Sequence, residues 1–341
     1  MDLRLFLFPG AFLATVVVTW GVRSYAIGSN LLDIPNDRSS HSVPTTRGGG
    51  IAIVVVTLAA LVILNRSGLA QGGPLLAYAG GGLLVAGVGY LDDRSHVSAA
   101  LRLAVHFGAA ISVLIAVGPL PPLPVFRSEL DFGLAASAMA AVSIVWLLNL
   151  YNFMDGIDGI AAIEAVTVAG GAACLLWYSG VDEVAYLAGV LAATSLGFLV
   201  WNWPPARIFM GDVGSVFLGF CFGALMVMTF ATDAPLIWIW PILLGTFLVD
   251  ATVTLFRRVF RRETLYKAHR SHAYQFASRK LGSHRPVTVA VGMINLFWLL
   301  PMAFLVTIGR LEGLIALLIA YTPLMGLALY LKAGARELQD V

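Results

Sequence analysis

The chain has 341 residues, of which 59% are hydrophobic and only 12% are charged; its mean hydropathy is +0.86 and its formal net charge is +2. Soluble domains average about 45–50% apolar and about 25% charged residues, so this composition excludes a soluble protein. We expect a polytopic membrane protein without a nucleic-acid partner. Cys174 and Cys221 both lie in apolar runs, where packing thiols are expected and a disulfide framework is not.

Apolar runs long enough to cross a hydrocarbon core of about 30 Å recur along the whole chain. Such runs must be helical, because lipid cannot satisfy open backbone groups. The predicted fold class is therefore all-α, a polytopic transmembrane helical bundle forming a single integral membrane domain over residues 1–341. The first run lacks a clear signal-cleavage site and is interpreted as a span. About eleven spans are predicted, near residues 4–28, 49–64, 75–91, 100–117, 132–151, 159–178, 184–202, 213–231, 235–256, 287–308 and 311–331.

Lysine and arginine residues indicate the orientation of these spans. The segment after span nine is the most basic part of the chain, and its placement in the cytoplasm puts the N-terminus outside and the C-terminus inside. The same alternation brings every dense polar cluster to the cytoplasmic face, which is typical of an enzyme with a cytoplasmic substrate. The cytoplasmic loops expected to carry the chemistry are 29–48, 92–99, 152–158, 203–212 and 257–286.

Two adjacent acids, Asp92 and Asp93, end span three. A solvated helix end is the simpler interpretation. However, acids at a helix C-terminus oppose the helix dipole, and neighbouring carboxylates repel each other unless a cation relieves them. The pair is therefore predicted to be functional.

A polar island that includes Asn152, Asp155 and Asp158 separates spans five and six. Carboxylates at the end of a span are costly and usually mark a functional site. The two acids are spaced i, i+3, so they share a face if the segment is helical at the start of span six. Oxygen ligands without a nearby cysteine or histidine favour Mg²⁺ or Mn²⁺ over zinc.

The segment from Gly211 through Asp212 to Ser215 opens span eight. Glycines permit a close backbone approach, and free amides at a helix start suit phosphate. A plain glycine turn with an aspartate cap is an equally good interpretation of this segment alone.

Most arginines of the basic loop need no ligand, because positive-inside topology or lipid headgroups account for them. His269 and His272, spaced i, i+3 among cations, are better site candidates. His96 and His106 are expected to be ordinary surface or packing residues, and Glu164 is expected to make a buried polar contact with a neighbouring helix.

The ordered set of motifs resembles the polyprenyl-phosphate N-acetylhexosamine-1-phosphate transferases, the MraY/WecA-like glycosyltransferase family 4. Each motif alone is modest, whereas the set on one membrane face, between about residues 33 and 285, is specific. In chain order the motifs are Asp92-Asp93, Asn152 with Asp155-Gly156-Ile157-Asp158-Gly159, Asn202 with Phe209-Met210-Gly211-Asp212-Val213-Gly214-Ser215, and the His269/His272 loop.

Within this family, the sequence around the two histidines looks closest to the WbpL-type enzymes that initiate O-antigen synthesis. The chain departs from the family's triple-histidine pattern, because Arg270 and Ser271 stand between two histidines. It also has His41 before the segment 44–49, where many members have lysine. These departures leave the sugar open among FucNAc, QuiNAc and GlcNAc.

The resemblance implies a phosphoglycosyltransferase of the bacterial inner membrane. Such an enzyme transfers N-acetylhexosamine-1-phosphate from a UDP-sugar to undecaprenyl phosphate and releases UMP, as the first membrane step of O-antigen or another surface polysaccharide. Mg²⁺, or Mn²⁺ in its place, is the implied cofactor, since two anionic reactants must meet. A homodimer is left open.

The resemblance also implies residue roles. Asp212 would bind the metal with Asp92 as the next candidate, and Asp93 or Asp92 would orient or deprotonate the lipid phosphate. Direct attack and a covalent aspartate intermediate both stay open. The implied catalytic residues are Asp92, Asp93, Asp212, His269 and His272. The implied substrate-binding residues are His41, Asn152, Asp155, Asp158, Asn202, Arg207, Gly211, Ser215 and Arg270.

The alternative class is a transporter or flippase of a phosphorylated lipid or nucleotide sugar. It accounts for the spans and the basic face, but it leaves the acids clustered on one side without a role. Release of UMP distinguishes the two classes.

Overall fold

The structure, a computed structural model, describes residues 3–29, 32–33, 44–95, 97–126, 128–262 and 270–335. Helices account for most of these residues. The α-helices are α1 (Leu3–Gly28), α2 (Gly50–Arg66), α3 (Gly72–Arg94), α4 (Ala99–Val117), α5 (Leu134–Met154), α6 (Ile160–Tyr178), α7 (Asp182–Asn202), α8 (Asp212–Thr232), α9 (Ile239–Leu243), α10 (Gly245–Phe260), α11 (Ala273–Leu281), α12 (Arg285–Ile294), α13 (Leu300–Thr307) and α14 (Gly313–Tyr330). A 3-10 helix (Ala234–Trp238) precedes α9, and a π-helical turn (Asn295–Leu299) joins α12 to α13.

The all-α prediction is confirmed, and the chain is a multi-pass membrane protein. Within the described residues, nine helices are long and apolar enough to cross a membrane, and a bent pair raises this to ten. Helix α2 has only 17 residues and is the shorter apolar helix of the second predicted span. The two strand pairs were not predicted: β1 (Leu32–Asp33) pairs antiparallel with β2 (Thr45–Thr46), and β3 (Leu123–Val125) with β4 (Ser128–Leu130).

The ninth predicted span is wrong as a straight helix, because it bends by 70° between Ala234–Leu243 and Gly245–Phe260. A break at membrane depth exposes backbone groups that lipid cannot satisfy. The Tyr321 hydroxyl donates to the Pro241 carbonyl at 2.7 Å, and the buried Glu164 carboxylate lies near the backbone amide of Phe247.

Glu164 also contacts the π-helical turn, because Asn295 Nδ2 donates to its Oε2 at 2.6 Å. Asn295 in turn accepts from the Thr246 hydroxyl at 2.6 Å. The buried polar contact expected for Glu164 is confirmed, and it joins the bent span to the π-helical turn.

Helix α8 forms the centre of the bundle, and 94% of its apolar 18-residue stretch is buried. Glycines let its neighbours approach closely. A Cβ on Gly219 would lie 2.4 Å from the Leu147 carbonyl oxygen of α5, and a Cβ on Gly89 of α3 would lie 2.8 Å from the Asp212 carbonyl oxygen. These contacts hold the first turn of α8 against the last turn of α3.

The segment before α2 is tied to the loop before α8. The Phe209 amide donates to the Thr46 carbonyl at 2.8 Å, and the Gly50 amide donates to the Met210 carbonyl at 2.9 Å. The two backbones then touch, since a Cβ on Gly50 would lie 2.4 Å from Cα of Gly214. This docking positions the residues just before Gly50 over the start of α8.

The predicted loop 257–286 is only partly a loop. Its first residues continue α10 to Phe260, and α11 (Ala273–Leu281) lies inside it. Helix α11 begins after His272, whose side chain and backbone form a capping box with Gln275.

Candidate active site

Asp93, in the last turn of α3, caps the first turn of α8. The amides of Asp212 and Val213 donate to its two carboxylate oxygens at 3.0 and 3.1 Å. An acid that opposes the dipole of its own helix thus meets the positive end of another. These two amides, which were one candidate for phosphate binding, therefore already have an acceptor within the protein. A Cβ on Gly211, whose φ is +76°, would lie 2.7 Å from Asp93 Oδ2.

Arg47 bridges two of the acids. Its Nε lies 3.1 Å from Asp93 Oδ1, and its Nη2 lies 3.0 Å from Asp212 Oδ1. Asp93 is nearly buried, whereas 44% of the Arg47 side chain is exposed. The guanidinium therefore covers the acids on their open side.

Asp92 points in a different direction from Asp93. One of its carboxylate oxygens accepts from the Val97 amide at 3.0 Å, and the other is paired with Arg102 of α4. Asp92 and Asp212 nevertheless share a small cavity of about 20 Å³, which has room for one water molecule or ion. The cavity is lined by Val88, Gly89, Asp92, Arg102, His106, Asn149, Asn152, Asp212 and Val216.

His106 lies in the wall of this cavity rather than at an ordinary packing position. It is almost fully buried, and its Nε2 has no hydrogen-bond partner among the described residues. On the opposite wall Asn152 Nδ2 donates to the Ser215 hydroxyl at 3.1 Å. Ser215 is buried, so its hydroxyl contacts Asn152 and is not open to solvent.

The island 155–159 is not helical, so the shared helical face expected for Asp155 and Asp158 is wrong. Helix α6 begins at Ile160, after Gly159 in the left-handed region at φ +75°. The two acids consequently have different surroundings.

Asp155 belongs to the acid cluster. Among the described residues, no hydrogen bond to its carboxylate is present. Burial raises the pKa of Asp155 well above its usual value. The field of Arg47 opposes this rise, while the carboxylates of Asp212, Asp93 and Asp158 add to it.

Asp158 instead holds a loop in place. Its Oδ2 accepts from the Ala206 amide at 3.0 Å and lies 3.2 Å from His284 Nδ1. Asn202 does the same from α7: its Oδ1 accepts from the Gly159 amide at 3.0 Å, and its Nδ2 donates to the Ile208 carbonyl at 2.9 Å. These two predicted substrate-binding residues join the 203–210 segment to the α5–α6 corner.

His272 is buried against an acid that the sequence had not indicated. Its Nδ1 lies 3.3 Å from Asp250 Oδ1 of α10, and Asp250 also accepts from the amides of Ala273 and Tyr274 at 2.9 and 3.1 Å. The Tyr274 hydroxyl donates to the Phe153 carbonyl at 3.1 Å. Tyr274 therefore holds the start of α11 beside the segment that carries Asp155.

The two predicted arginines make other recorded contacts. The Arg207 guanidinium stacks over Trp201 at 5.8 Å, and the Arg270 carbonyl accepts from Arg279 at 3.0 Å. His41 and His269 lie outside the described residues.

The structure supplies only part of the ligand set for the metal that was expected at Asp212 and Asp92. No group of three or more His, Cys, Asp or Glu side chains in the described ranges could hold a metal ion. Mg²⁺, however, is often bound through one or two carboxylates together with substrate phosphates and water. Asp212 fits that mode, because its carboxylate lines the ion-sized cavity and already pairs with a positive charge, the Arg47 guanidinium.

Four residues missed at the sequence level complete the site: Arg47, Arg102, Asp250 and His284. Each is paired with a predicted residue or its loop. Only Arg47 carried a usable signal, because it directly precedes Gly48, Gly49 and Gly50 in a glycine-dense segment of a loop predicted to be cytoplasmic.

The chain is similar to known membrane transferases. The model of a family described as glycosyl transferase family 4 matches residues 75–230. A probable undecaprenyl-phosphate N-acetylglucosaminyl 1-phosphate transferase of Bacillus subtilis is 27% identical, over 83% of this chain and 79% of the relative. A phospho-N-acetylmuramoyl-pentapeptide-transferase of Moorella thermoacetica is 29% identical, over 69% of this chain and 78% of the relative. A decaprenyl-phosphate N-acetylglucosaminephosphotransferase of Mycolicibacterium smegmatis is 32% identical, over 63% of this chain and 57% of the relative.

Proposed function

The chain belongs to glycosyl transferase family 4 and is a phosphoglycosyltransferase, and from that premise we propose that it transfers N-acetylhexosamine-1-phosphate from a UDP-sugar to undecaprenyl phosphate. UMP is the second product. The proposed pathway is O-antigen or another surface polysaccharide, with the active site on the cytoplasmic face of the inner membrane and FucNAc, QuiNAc or GlcNAc as the sugar.

The observation that carries this proposal is the arrangement around Asp212. Asp92 and Asp212 line one ion-sized cavity, Arg47 pairs with both Asp212 and Asp93, and Asp155 interacts with the charges of the same three residues. Phosphoryl transfer is mostly positioning plus neutralisation of charge, and a group of carboxylates with paired arginines supports both.

In the proposed reaction, a phosphate oxygen of the lipid attacks the β-phosphorus of the UDP-sugar. The new phosphorus–oxygen bond forms as the bond to the oxygen shared with the α-phosphate breaks, and UMP departs with that oxygen. The second pKa of a phosphomonoester is about 6, so the acceptor is largely ionised at neutral pH. A strong general base is therefore not essential.

We assign the acceptor phosphate to the side of the cavity formed by Asp92, Arg102 and His106. Arg102 would offset the charge of the acceptor, and Asp92 would hold Arg102 in position. Direct attack is favoured over an aspartyl intermediate, because both oxygens of Asp92 and both oxygens of Asp93 already accept hydrogen bonds.

A divalent cation, proposed to be Mg²⁺ with Mn²⁺ as a substitute, would be held by Asp212 and would neutralise the phosphate oxygens. Asn152, which lines the cavity, and Asp155, which belongs to the acid cluster, would face the UDP-sugar. Asp158 and Asn202 would act by holding the 203–210 segment in place. The His269/His272 loop would cover the sugar of the UDP-sugar donor.

The test is UMP release by purified protein with undecaprenyl phosphate and Mg²⁺ across UDP-GlcNAc, UDP-QuiNAc and UDP-FucNAc. We expect release with one sugar well above the others, and loss of release when EDTA is added. No release with any of the three, although UDP-sugars bind, would contradict the proposed function and favour the transporter class.

A further inference from the structure

We propose that Arg47 is a mobile counter-ion of the site: it occupies Asp212 until a divalent cation binds, and it then contacts the pyrophosphate of the donor. This inference rests on the proposed function and adds a residue to it. The charge balance and geometry of the acid cluster carry it.

The position of Arg47 is well defined at the backbone and open at the side chain. Hydrogen bonds from Phe209 to Thr46 and from Gly50 to Met210 hold the backbone on either side of it. The guanidinium contacts Asp93 and Asp212 at 3.1 and 3.0 Å, yet 44% of the side chain is exposed. A long side chain on a fixed backbone can change partners without moving the loop.

The two ion pairs of Arg47 differ in depth. Asp93 keeps the amides of Asp212 and Val213 whether or not Arg47 is present, and its side chain is 8% exposed. The Asp212 carboxylate is 21% exposed and lines the ion-sized cavity. The contact with Asp212 is therefore the one that an incoming cation would replace.

The charge balance of the cluster favours the replacement of Arg47 by a divalent cation at Asp212. Asp93, Asp155 and Asp212 interact with one another, and in the described part of the chain Arg47 is the cation paired with two of them. A pyrophosphate adds further negative charge. A cation on Asp212 would offset it and would free one edge of the guanidinium, whose planar fork matches phosphate oxygens.

Two binding titrations without the acceptor test this inference. Free Mn²⁺ is counted by electron paramagnetic resonance in the absence of nucleotide, and UDP binding is measured calorimetrically with saturating Mg²⁺ present. Arg47→Ala should bind Mn²⁺ about tenfold more tightly, because a competing cation is gone, and UDP about tenfold more weakly.

Arg94→Ala is the matched control. It removes one positive charge from the residue after Asp93, but the Arg94 guanidinium stacks on Tyr90 at 4.5 Å and makes no ion pair with the cluster among the described residues. It should shift both affinities by less than about twofold. Arg47→Lys, which keeps the charge but not the fork, should bind Mn²⁺ as the wild type does and UDP more weakly.

Unchanged or weaker Mn²⁺ binding by Arg47→Ala would overturn the inference, as would unchanged UDP binding. An equal shift in Arg94→Ala would also overturn it, because a general charge effect would then suffice. Failure of the wild type to bind UDP at all would instead contradict the proposed function. A melting temperature within a few degrees of the wild type shows that each variant is folded.

Discussion

Two groups of acids in this molecule have different surroundings. Glu164, inside the bundle, accepts from Asn295 through Oε2, while its Oε1 has no hydrogen-bond partner among the described residues. Asp155 and Asp212, at the end of the bundle, lie among other carboxylates and beside an arginine that is open to solvent. The comparison shows that burial alone does not indicate function; what matters is whether the neighbours of the acid are neutral donors or other charged groups.

The aspartates of the polar end divide in the same way. Asp93, Asp158 and Asp250 each accept from backbone amides and hold two segments together. Asp212 contacts side chains and the ion-sized cavity instead. The comparison therefore separates acids that position the site from acids that are left to bind a ligand.

The largest effect is expected for Asp212→Asn. It removes the carboxylate that faces the cavity, and UMP release should fall by roughly 10³-fold. The melting temperature should stay within a few degrees of the wild type, because the Asp212 side chain caps no helix. Retention of more than about a tenth of the activity would remove Asp212 from the site.

A large but mixed effect is expected for Asp250→Ala. The amides of Ala273 and Tyr274 would lose their acceptor, and an unsatisfied buried group costs about 1–3 kcal/mol. We expect a lower melting temperature together with a higher KM for the UDP-sugar, since the histidine loop loses its anchor. Thermal unfolding in detergent and steady-state kinetics check this, and a change in KM without loss of stability would contradict the positioning role.

Glu164 should affect stability and leave the chemistry unchanged. Glu164→Gln keeps an acceptor for Asn295, so its activity and melting temperature should match the wild type. Glu164→Leu removes the carboxylate oxygen that accepts from Asn295, and we expect a loss of about 1–2 kcal/mol in unfolding free energy. A tenfold loss of UMP release in Glu164→Gln would break the distinction between the two acid groups.

The smallest effect is expected for the stability of Asp155→Asn without ligands. The pKa of Asp155 is raised in the fold, so ionisation of this group costs folding stability as pH rises above its usual value near 4. The variant should therefore melt slightly higher than the wild type at pH 7, and the difference should vanish at about pH 4. Equal melting temperatures at both pH values would contradict this assignment.

The same variant should bind UDP-sugar more weakly in the presence of Mg²⁺. A gain in stability with a loss of binding is the pattern expected of an acid that serves a ligand rather than the fold. Asp158→Asn, by contrast, should lower the melting temperature, because its contact with His284 weakens.

The spans, the all-α fold and the start of α8 at Asp212 could all be predicted, because each depends on local hydrophobicity or on a residue at a helix end. The bend after Leu243 could not, since the backbone carbonyl of Pro241 finds its partner in Tyr321 of another helix. Arg47 was missed for the same reason. Its two partners lie far along the chain, and only the docking of Gly50 against Gly214 brings them together.

The pairing of Asp155 with Asp158 failed for a local reason. Their spacing predicts one helical face, but Gly159 takes a left-handed conformation and delays α6 until Ile160. One acid then faces the cluster and the other faces His284.

The central claim is that the acid end of the bundle catalyses transfer of a sugar phosphate to a lipid. The most direct test counts both products in proteoliposomes that contain undecaprenyl phosphate, with Mg²⁺ and the preferred UDP-sugar added outside. We expect one undecaprenyl-diphospho-sugar for each UMP released, and neither product from Asp212→Asn. Uptake of intact UDP-sugar into the vesicles without UMP would contradict it.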